Sequence, residues 1–237
     1  MNIKKHIPNF ITLLNLLCGC IALVFVSDCQ FVIAFYFVCL GIFLDFFDGF
    51  FARLFKVSSP LGLQLDSLAD MVTSGVVPGY VMFKLLTNNL DFNLNSPVPY
   101  LGFIVTLGAC YRLANFNIDT RQTNSFIGLP TPANALFILS LPLILSNSES
   151  LLVVSALMDP LVLIVIALIS AYIMNAEIPL FSLKIKNFTF KKNALQILFL
   201  AASLIFLLVF RYLGIPMVIV FYVLLSVINN AMTKKAH

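Results

Sequence analysis

The chain has 237 residues, of which 61% are hydrophobic and only 10% are charged, and its mean hydropathy is +1.03. Soluble globular proteins carry about a quarter charged residues, so this composition excludes a water-soluble domain and predicts an integral membrane protein. The formal charge is +4, but the basic residues stand at the ends of apolar runs and form no single stripe. That distribution is typical of membrane topology signals and argues against a nucleic-acid partner.

Apolar runs near the length that crosses the hydrocarbon layer follow one another along the chain. We predict an all-α, polytopic membrane bundle of about eight transmembrane helices, because helices satisfy their own backbone hydrogen bonds in lipid. A single domain, 1–237, accommodates them. The expected spans are 9–26, 31–54, 62–86, 100–116, 132–146, 160–174, 194–210 and 215–229. Asp159 followed by Pro160 suits a helix start, so 150–158 is expected to be a surface segment.

The distribution of Lys and Arg predicts the orientation of this bundle. With the N-terminus in the cytoplasm, 12 of the 14 basic residues fall on the cytoplasmic side, and only Lys84 and Arg211 fall outside. This positive-inside bias places both termini in the cytoplasm.

Four aspartates interrupt the apolar sequence between positions 44 and 70. Asp45 and Asp48 share one face of a helix, and Asp66 and Asp70 share a face of the next span. The turn between the two spans is short, so they should be antiparallel neighbours with both acidic faces near the cytoplasmic end. Because each carboxylate inside a bilayer costs a few kcal/mol or more, the cluster needs cations to hold it.

Facing carboxylates on adjacent helices form an oxygen-rich cage for a hard divalent cation, Mg²⁺ or Mn²⁺, with Ca²⁺ as a further possible occupant. Gly49 and Gly62 leave room for a bulky group, and Arg53 offers a bidentate donor that suits phosphate. Together these features indicate a diphosphate substrate. The alternative is an intramembrane ion-pair network, but four acids near one arginine would leave it negatively charged.

The spacing of these residues resembles a family signature. Residues 48–70 fit the pattern D-G-x2-A-R-x8-G-x3-D-x3-D, and Asp45 supplies a further aspartate three positions earlier. This motif, 45–70, is similar to that of the CDP-alcohol phosphatidyltransferases. The resemblance implies an integral membrane enzyme in which a hydroxyl attacks the lipid-bearing β-phosphate of a CDP-linked lipid and CMP departs. It also implies a homodimer. Together with the positive-inside bias, we expect the protein to lie in the cell inner (cytoplasmic) membrane, in contact with membrane lipids, with the active site facing the cytoplasm.

The resemblance also implies roles for individual residues. The four aspartates would hold one or two divalent metals that bridge the diphosphate, and Asp70 would double as the general base. The metal ligands implied are Asp45, Asp48, Asp66 and Asp70. The residues implied to contact the cytidine diphosphate group are Gly49, Ala52, Arg53 and Gly62.

Segments outside the motif are similar to the branch of the family that uses L-serine. They are IPNFITLLNLLCG (7–19), DSLADMVTSGVVP (66–78), YRLANFN (111–117), FIGLPTPANA (126–135) and MNAEIPLFSLK (174–184). The implied reaction converts CDP-diacylglycerol and L-serine into phosphatidylserine and CMP. Two positions depart from the branch, since Asn115 stands in place of an arginine and Ser74 in place of an aromatic residue. Either difference bears on the choice of acceptor.

Other residues have two interpretations each. Because serine carries a carboxylate, Arg112 and then Arg121 are candidates to bind it, although both could simply set the topology. Thr12 and Asn15 share a stripe of the first span and could bind the nucleotide or a neighbouring helix. FIGLPTPANA is a cytoplasmic loop that lies against the site or simply starts the next helix.

Two alternative functions remain open at this point. The same chemistry could act on another alcohol, such as glycerol 3-phosphate or inositol phosphate, although a phosphorylated acceptor should require further basic residues near the site. A cation transporter would also use buried aspartates, but it would not explain the Gly-Ala-Arg spacing.

Overall fold

The computed structural model describes residues 6–57, 59–89, 96–119, 127–181 and 193–235. All regular elements in these ranges are helical, apart from one isolated bridge between Ile127 and Pro179. The α-helices are α1 Ile7–Ser27, α2 Phe31–Phe55, α3 Pro60–Asp70, α4 Val77–Asn89, α5 Ile104–Ile118, α6 Thr131–Asn147, α7 Leu151–Met158, α8 Pro160–Asn175, α9 Ala194–Phe210 and α10 Gly214–Lys235. The predicted all-α class is confirmed.

Each predicted span coincides with a helix or a continuous helical run. The third span is a run in which a π-helical turn, Met71–Val76, joins α3 to α4, and a 3₁₀ turn, Val98–Phe103, leads into α5. The sequence had not predicted the π turn. In the described residues, four ranges are long and apolar enough to cross a membrane, namely Ile7–Ser27, Phe31–Phe55, Val98–Ile118 and Ala194–Met232, the last containing both α9 and α10.

The boundary between α7 and α8 follows the local sequence. The two helices meet at an angle of 77° and would together count as a further span. Asp159 caps α8, since its Oδ1 accepts a hydrogen bond of 2.8 Å from the backbone N–H of Leu161, and Pro160 occupies the first helical turn. Because proline has no N–H to satisfy there, it favours this start. Leu151 and Leu152 of α7 are exposed, and the assignment of 150–158 as a surface segment stays a prediction.

Burial distinguishes the centre of the bundle from its periphery. On α6 most side chains from Asn134 to Ile144 are buried, and the helix contacts α2, α4 and α10. On α9, by contrast, Phe199 is the buried residue. The helix α6 therefore forms the interior of the bundle, while most of α9 lies at its periphery. The N-terminal end of α6 lies near the aspartates of α2 and α3.

Candidate active site

A short connection joins α2 to α3, and α1 packs against both helices. Helix α2 ends with Lys56 in the left-handed conformation (φ 54°). Helix α3 begins after Ser59, whose Oγ accepts a 3.0 Å hydrogen bond from the backbone N–H of Gly62. Serine at this position satisfies one of the free N–H groups of the first turn. The two acidic faces are thus brought together at one end of the bundle, as predicted.

Three of the predicted metal ligands form a compact cluster. One carboxylate oxygen from each of Asp45, Asp48 and Asp66 lies within 4.8 Å of the other two. Asp70 lies outside this group and makes a separate contact. The ligand roles of all four aspartates stay predictions. Among the described residues, no hydrogen-bond partner reaches the buried Oδ1 of Asp45. Clustered carboxylates with an unpaired buried oxygen fit a hard divalent cation, because such cations take oxygen ligands and offset the negative charge.

Two polar residues of α1 reach the aspartates. Thr12 Oγ1 donates to Asp48 Oδ2 at 2.5 Å, and Asn15 Nδ2 donates to Asp70 Oδ1 at 3.1 Å. Both residues are buried. Of the two interpretations, contact with a neighbouring helix is what the structure describes, although Thr12 also lines the pocket discussed next. A nucleotide-binding role for either residue stays a prediction.

A first pocket of about 180 Å³ lies between α1, α2 and α3. Its walls include three of the residues that the motif assigns to the CDP group, Gly49, Ala52 and Gly62. Arg53 is exposed, and its guanidinium lies over Gly49, where an added Cβ would be 3.5 Å from Nη1. The structure thus gathers three of the four predicted CDP-binding residues around one cavity, beside Asp48 and Asp66, with Arg53 next to Gly49.

A second pocket of about 230 Å³ lies on the side of α5 and α6. Its lining includes Asp45, Asp66, Asp70, Arg112 and the prolines that precede and begin α6. Of the residues that line the two pockets, Asp66 is the one they share. The carboxylate cluster therefore stands between two cavities that are otherwise lined by different residues.

Arg112 belongs to this second pocket even though it lies far from the motif in sequence. The residue is 5% exposed, and its guanidinium carbon lies 5.4 Å from the centre of the Phe116 ring. A cation stacked on an aromatic face keeps a defined orientation. Its place in the wall of this pocket supports an acceptor-binding role for Arg112, which stays a prediction. Arg121, the second candidate, lies outside the described residues.

Some site residues could not be assigned from the sequence. Ser67 lines the second pocket and accepts a 2.8 Å hydrogen bond from Asn117 Nδ2. Thr131 and Pro132 also line it. The latter two belong to FIGLPTPANA and lie in the first turn of α6, so this segment both starts a helix and contributes to the site. Ser67 carried no signal beyond lying next to Asp66.

The bundle and its acidic cleft define a multi-pass membrane protein built around a carboxylate cluster and two pockets. Residues 5–176 match the family described as CDP-alcohol phosphatidyltransferase. Because this match covers more than half of the chain, the protein belongs to the CDP-alcohol phosphatidyltransferase family. Membership supports phosphatidyl transfer and argues against the cation-transporter alternative.

Curated relatives place the chain more closely within the family. It is 36% identical over 132 residues to a protein of Bacillus subtilis, 35% over 132 to one of Methanocaldococcus jannaschii and 34% over 154 to one of Saccharomyces cerevisiae. Each of these three is named CDP-diacylglycerol--serine O-phosphatidyltransferase. The matches cover 54%, 56% and 57% of this chain, and 70%, 58% and 53% of the respective relatives. The chain thus spans little more than half the length of two of them.

Proposed function

We propose that this protein transfers the phosphatidyl group of CDP-diacylglycerol to the hydroxyl of L-serine, giving phosphatidylserine and CMP. The observation that carries the proposal is the position of the carboxylate cluster between two pockets that share Asp66. A transfer between two substrates needs both of them against one reactive centre. The names of the relatives support serine as the acceptor.

The first pocket accommodates the cytidine diphosphate group in this proposal. Gly49 and Gly62 leave its walls open, and the guanidinium of Arg53, over Gly49, is placed to bind a phosphate oxygen at its edge. Asp45, Asp48 and Asp66 would hold the divalent cation, Mg²⁺ or Mn²⁺, with Asp70 as a further ligand. Such a cation would supply positive charge that offsets the negative charge of the diphosphate.

The second pocket accommodates serine. Arg112 binds the carboxylate of the amino acid, and Asp70, on the wall of the same pocket, accepts the proton of the attacking hydroxyl. The serine oxygen forms a bond to the lipid-bearing phosphorus. The bond between this phosphorus and the oxygen that links it to CMP breaks, and CMP leaves with the electron pair. Placing the attacking and departing groups in separate pockets favours the in-line geometry of displacement at phosphorus.

Acceptors that carry a phosphate fit the second pocket less well. Among the residues that line it, Arg112 is the basic one. A bound carboxylate would occupy the paired N–H donors of its guanidinium. Glycerol 3-phosphate or inositol phosphate would bring a second negative charge close to three aspartates. The geometry therefore favours serine within the same chemistry.

The test is acceptor choice by the purified protein in lipid nanodiscs. CDP-diacylglycerol and Mn²⁺ are supplied with labelled L-serine, glycerol 3-phosphate or inositol phosphate, and label in lipid and CMP release are measured. We expect serine to enter lipid, with Asp66→Asn inactive and Asp28→Asn, at an exposed carboxylate outside the site, as active as the wild type. Label from another alcohol alone would overturn the acceptor, and absence of CMP with every acceptor would overturn phosphatidyl transfer.

We further propose that the site faces the cytoplasm of the inner membrane and that the protein is a homodimer. The excess of basic residues on one side supports the orientation. Inside-out membrane vesicles should then incorporate external labelled serine while right-side-out vesicles do not. The mass of the particle in nanodiscs measures the oligomeric state, which should correspond to two chains.

A further inference from the structure

Near the carboxylates, three helical segments approach one another almost to backbone contact. They are α1, α2 and the π turn Met71–Val76. A Cβ added to Gly19 of α1 would lie 2.5 Å from Thr73 Oγ1. One added to Gly41 of α2 would lie 2.8 Å from Asn15 Oδ1 and 2.8 Å from Thr73 Cγ2. Any side chain at these two positions would push the segments apart. The two glycines therefore let α1 and α2 close around Thr73.

Thr73 lies in the π turn, one turn beyond Asp70, and is fully buried. Its hydroxyl donates a 3.1 Å hydrogen bond to the backbone carbonyl of Asn15. The side chain of the same Asn15 donates to Asp70 Oδ1 at 3.1 Å. A continuous series of contacts thus leads from the Thr73 hydroxyl through one residue of α1 to the carboxylate of Asp70.

The π turn is also held from the opposite side. Thr106 Oγ1, on α5, donates a 3.0 Å hydrogen bond to the backbone carbonyl of Gly75. A π turn leaves backbone groups without their usual helical partner, and such turns occur frequently at functional sites. Here the external hydrogen bond stabilises the widened turn that contains Thr73.

We propose that Thr73, together with Gly19 and Gly41, forms a clamp that orients the amide of Asn15 and thereby the carboxylate of Asp70. Thr73 and Asn15 are positioning residues, since they act through Asp70. A hydrogen bond to one carboxylate oxygen restricts rotation of the group, so the other oxygen is presented to the acceptor in one direction. The inference rests on the proposed function, in which Asp70 takes the proton of the attacking hydroxyl.

A pair of substitutions separates positioning from packing. Thr73→Val keeps the shape and the methyl group against Gly41 but removes the hydroxyl, while Thr73→Ser keeps the hydroxyl and removes the methyl group. If the clamp orients Asp70, kcat should fall about 10- to 100-fold in Thr73→Val, the range expected for misplacement of a reacting group by about 1 Å. The KM for CDP-diacylglycerol should stay within about twofold, because the walls of the first pocket are untouched. Thr73→Ser should retain most of the activity.

Packing alone would give the opposite order. Thr73→Ser would then be the more damaging change, because it opens space in a buried contact, whereas valine fills it. Thermal unfolding of all variants shows whether each is folded. A double-mutant cycle tests whether the two residues act together. If both act on Asp70, Thr73→Val should lower kcat little further in the Asn15→Leu background. Fold-changes that multiply, or a Thr73→Val kcat within twofold of the wild type, would overturn the clamp.

A second measurement does not depend on turnover. The side-chain amide of Asn15 can be assigned in ¹⁵N NMR spectra of asparagine-labelled protein by its loss in Asn15→Asp. We expect this resonance to shift in Thr73→Val and to stay in place in Thr73→Ser. An unshifted resonance in Thr73→Val would overturn the clamp even if the wild type proved inactive with every acceptor. Inactivity of the wild type would instead overturn the proposed function, so the two failures are distinguishable.

Discussion

Replacing Arg112 by glutamine should weaken binding of L-serine specifically. Arg112 is 5% exposed and lines the second pocket with Asp45, Asp66 and Asp70. A hydrogen bond between charged partners is worth about 1.5–3 kcal/mol, and 1.4 kcal/mol corresponds to a factor of ten. The KM for L-serine should therefore rise about 10- to 150-fold in Arg112→Gln. The KM for CDP-diacylglycerol should stay near that of the wild type, since Arg112 does not line the first pocket.

The assay measures CMP release while each substrate is varied at saturation of the other. Arg112→Lys keeps the charge but lacks the planar fork, so its KM for serine should fall between those of the wild type and the glutamine variant. Arg211→Gln is the matched control, because this exposed arginine lies in the link between α9 and α10. Its kinetic constants should equal those of the wild type.

Acceptor selectivity gives a sharper readout. Ethanolamine resembles serine without the carboxylate, so the preference of the wild type for serine over ethanolamine should shrink in Arg112→Gln. An unchanged KM for serine in a folded Arg112→Gln protein would refute the assignment. A rise confined to the KM for CDP-diacylglycerol would also refute it, since it would place Arg112 on the diphosphate.

Three further predictions concern the metal, the base and the fold. EDTA should abolish CMP release and Mg²⁺ or Mn²⁺ should restore it, because the carboxylate cluster needs a cation to bind the diphosphate; activity that survives exhaustive chelation would contradict this. Asp70→Asn should lower kcat at least about 100-fold, in the range of general base catalysis, with little change in thermal unfolding, and near-normal turnover would remove Asp70 from its role. Gly102→Ala should destabilise the protein by about 1–3 kcal/mol, because its Cβ would lie 2.5 Å from the backbone nitrogen of Phe83, an atom that cannot rotate away. In the control Gly49→Ala the nearest atom is 3.5 Å from the new Cβ, so its thermal unfolding should match the wild type, and equal losses in the two variants would contradict the steric explanation.

Local sequence was sufficient to predict the positions of the helices and the clustering of the aspartates. Helical periodicity placed Asp45 and Asp48 on one face and Asp66 on a face of the next span, and the short turn between them made these faces neighbours. The capping pair Asp159 and Pro160 likewise predicted where α8 begins. These features depend on residues within one or two helical turns, or on one tight connection, so a single sequence contains them.

The predictions that stayed open concern partners from distant parts of the chain. From the sequence, Thr12 and Asn15 could have faced the nucleotide or a neighbouring helix. The packing of α1 against α2 and α3 brings them into contact with Asp48 and Asp70. Arg112 was one of two candidate arginines, and the packing of α5 placed it in the second pocket. Such choices depend on the rotation and depth of each helix relative to its neighbours, which periodicity does not determine.

By itself, the sequence determined that the protein is a helical membrane bundle with a family-defining aspartate motif. The tertiary structure alone decided that the motif separates two pockets and that a π turn beside Asp70 contacts α1. The physical reason is that a helix specifies its own faces through local geometry, whereas close approach at Gly19 and Gly41 and the hydrogen bond of Thr73 exist only once three segments pack together. Composition and spacing thus identify which groups do the chemistry, and packing orients them.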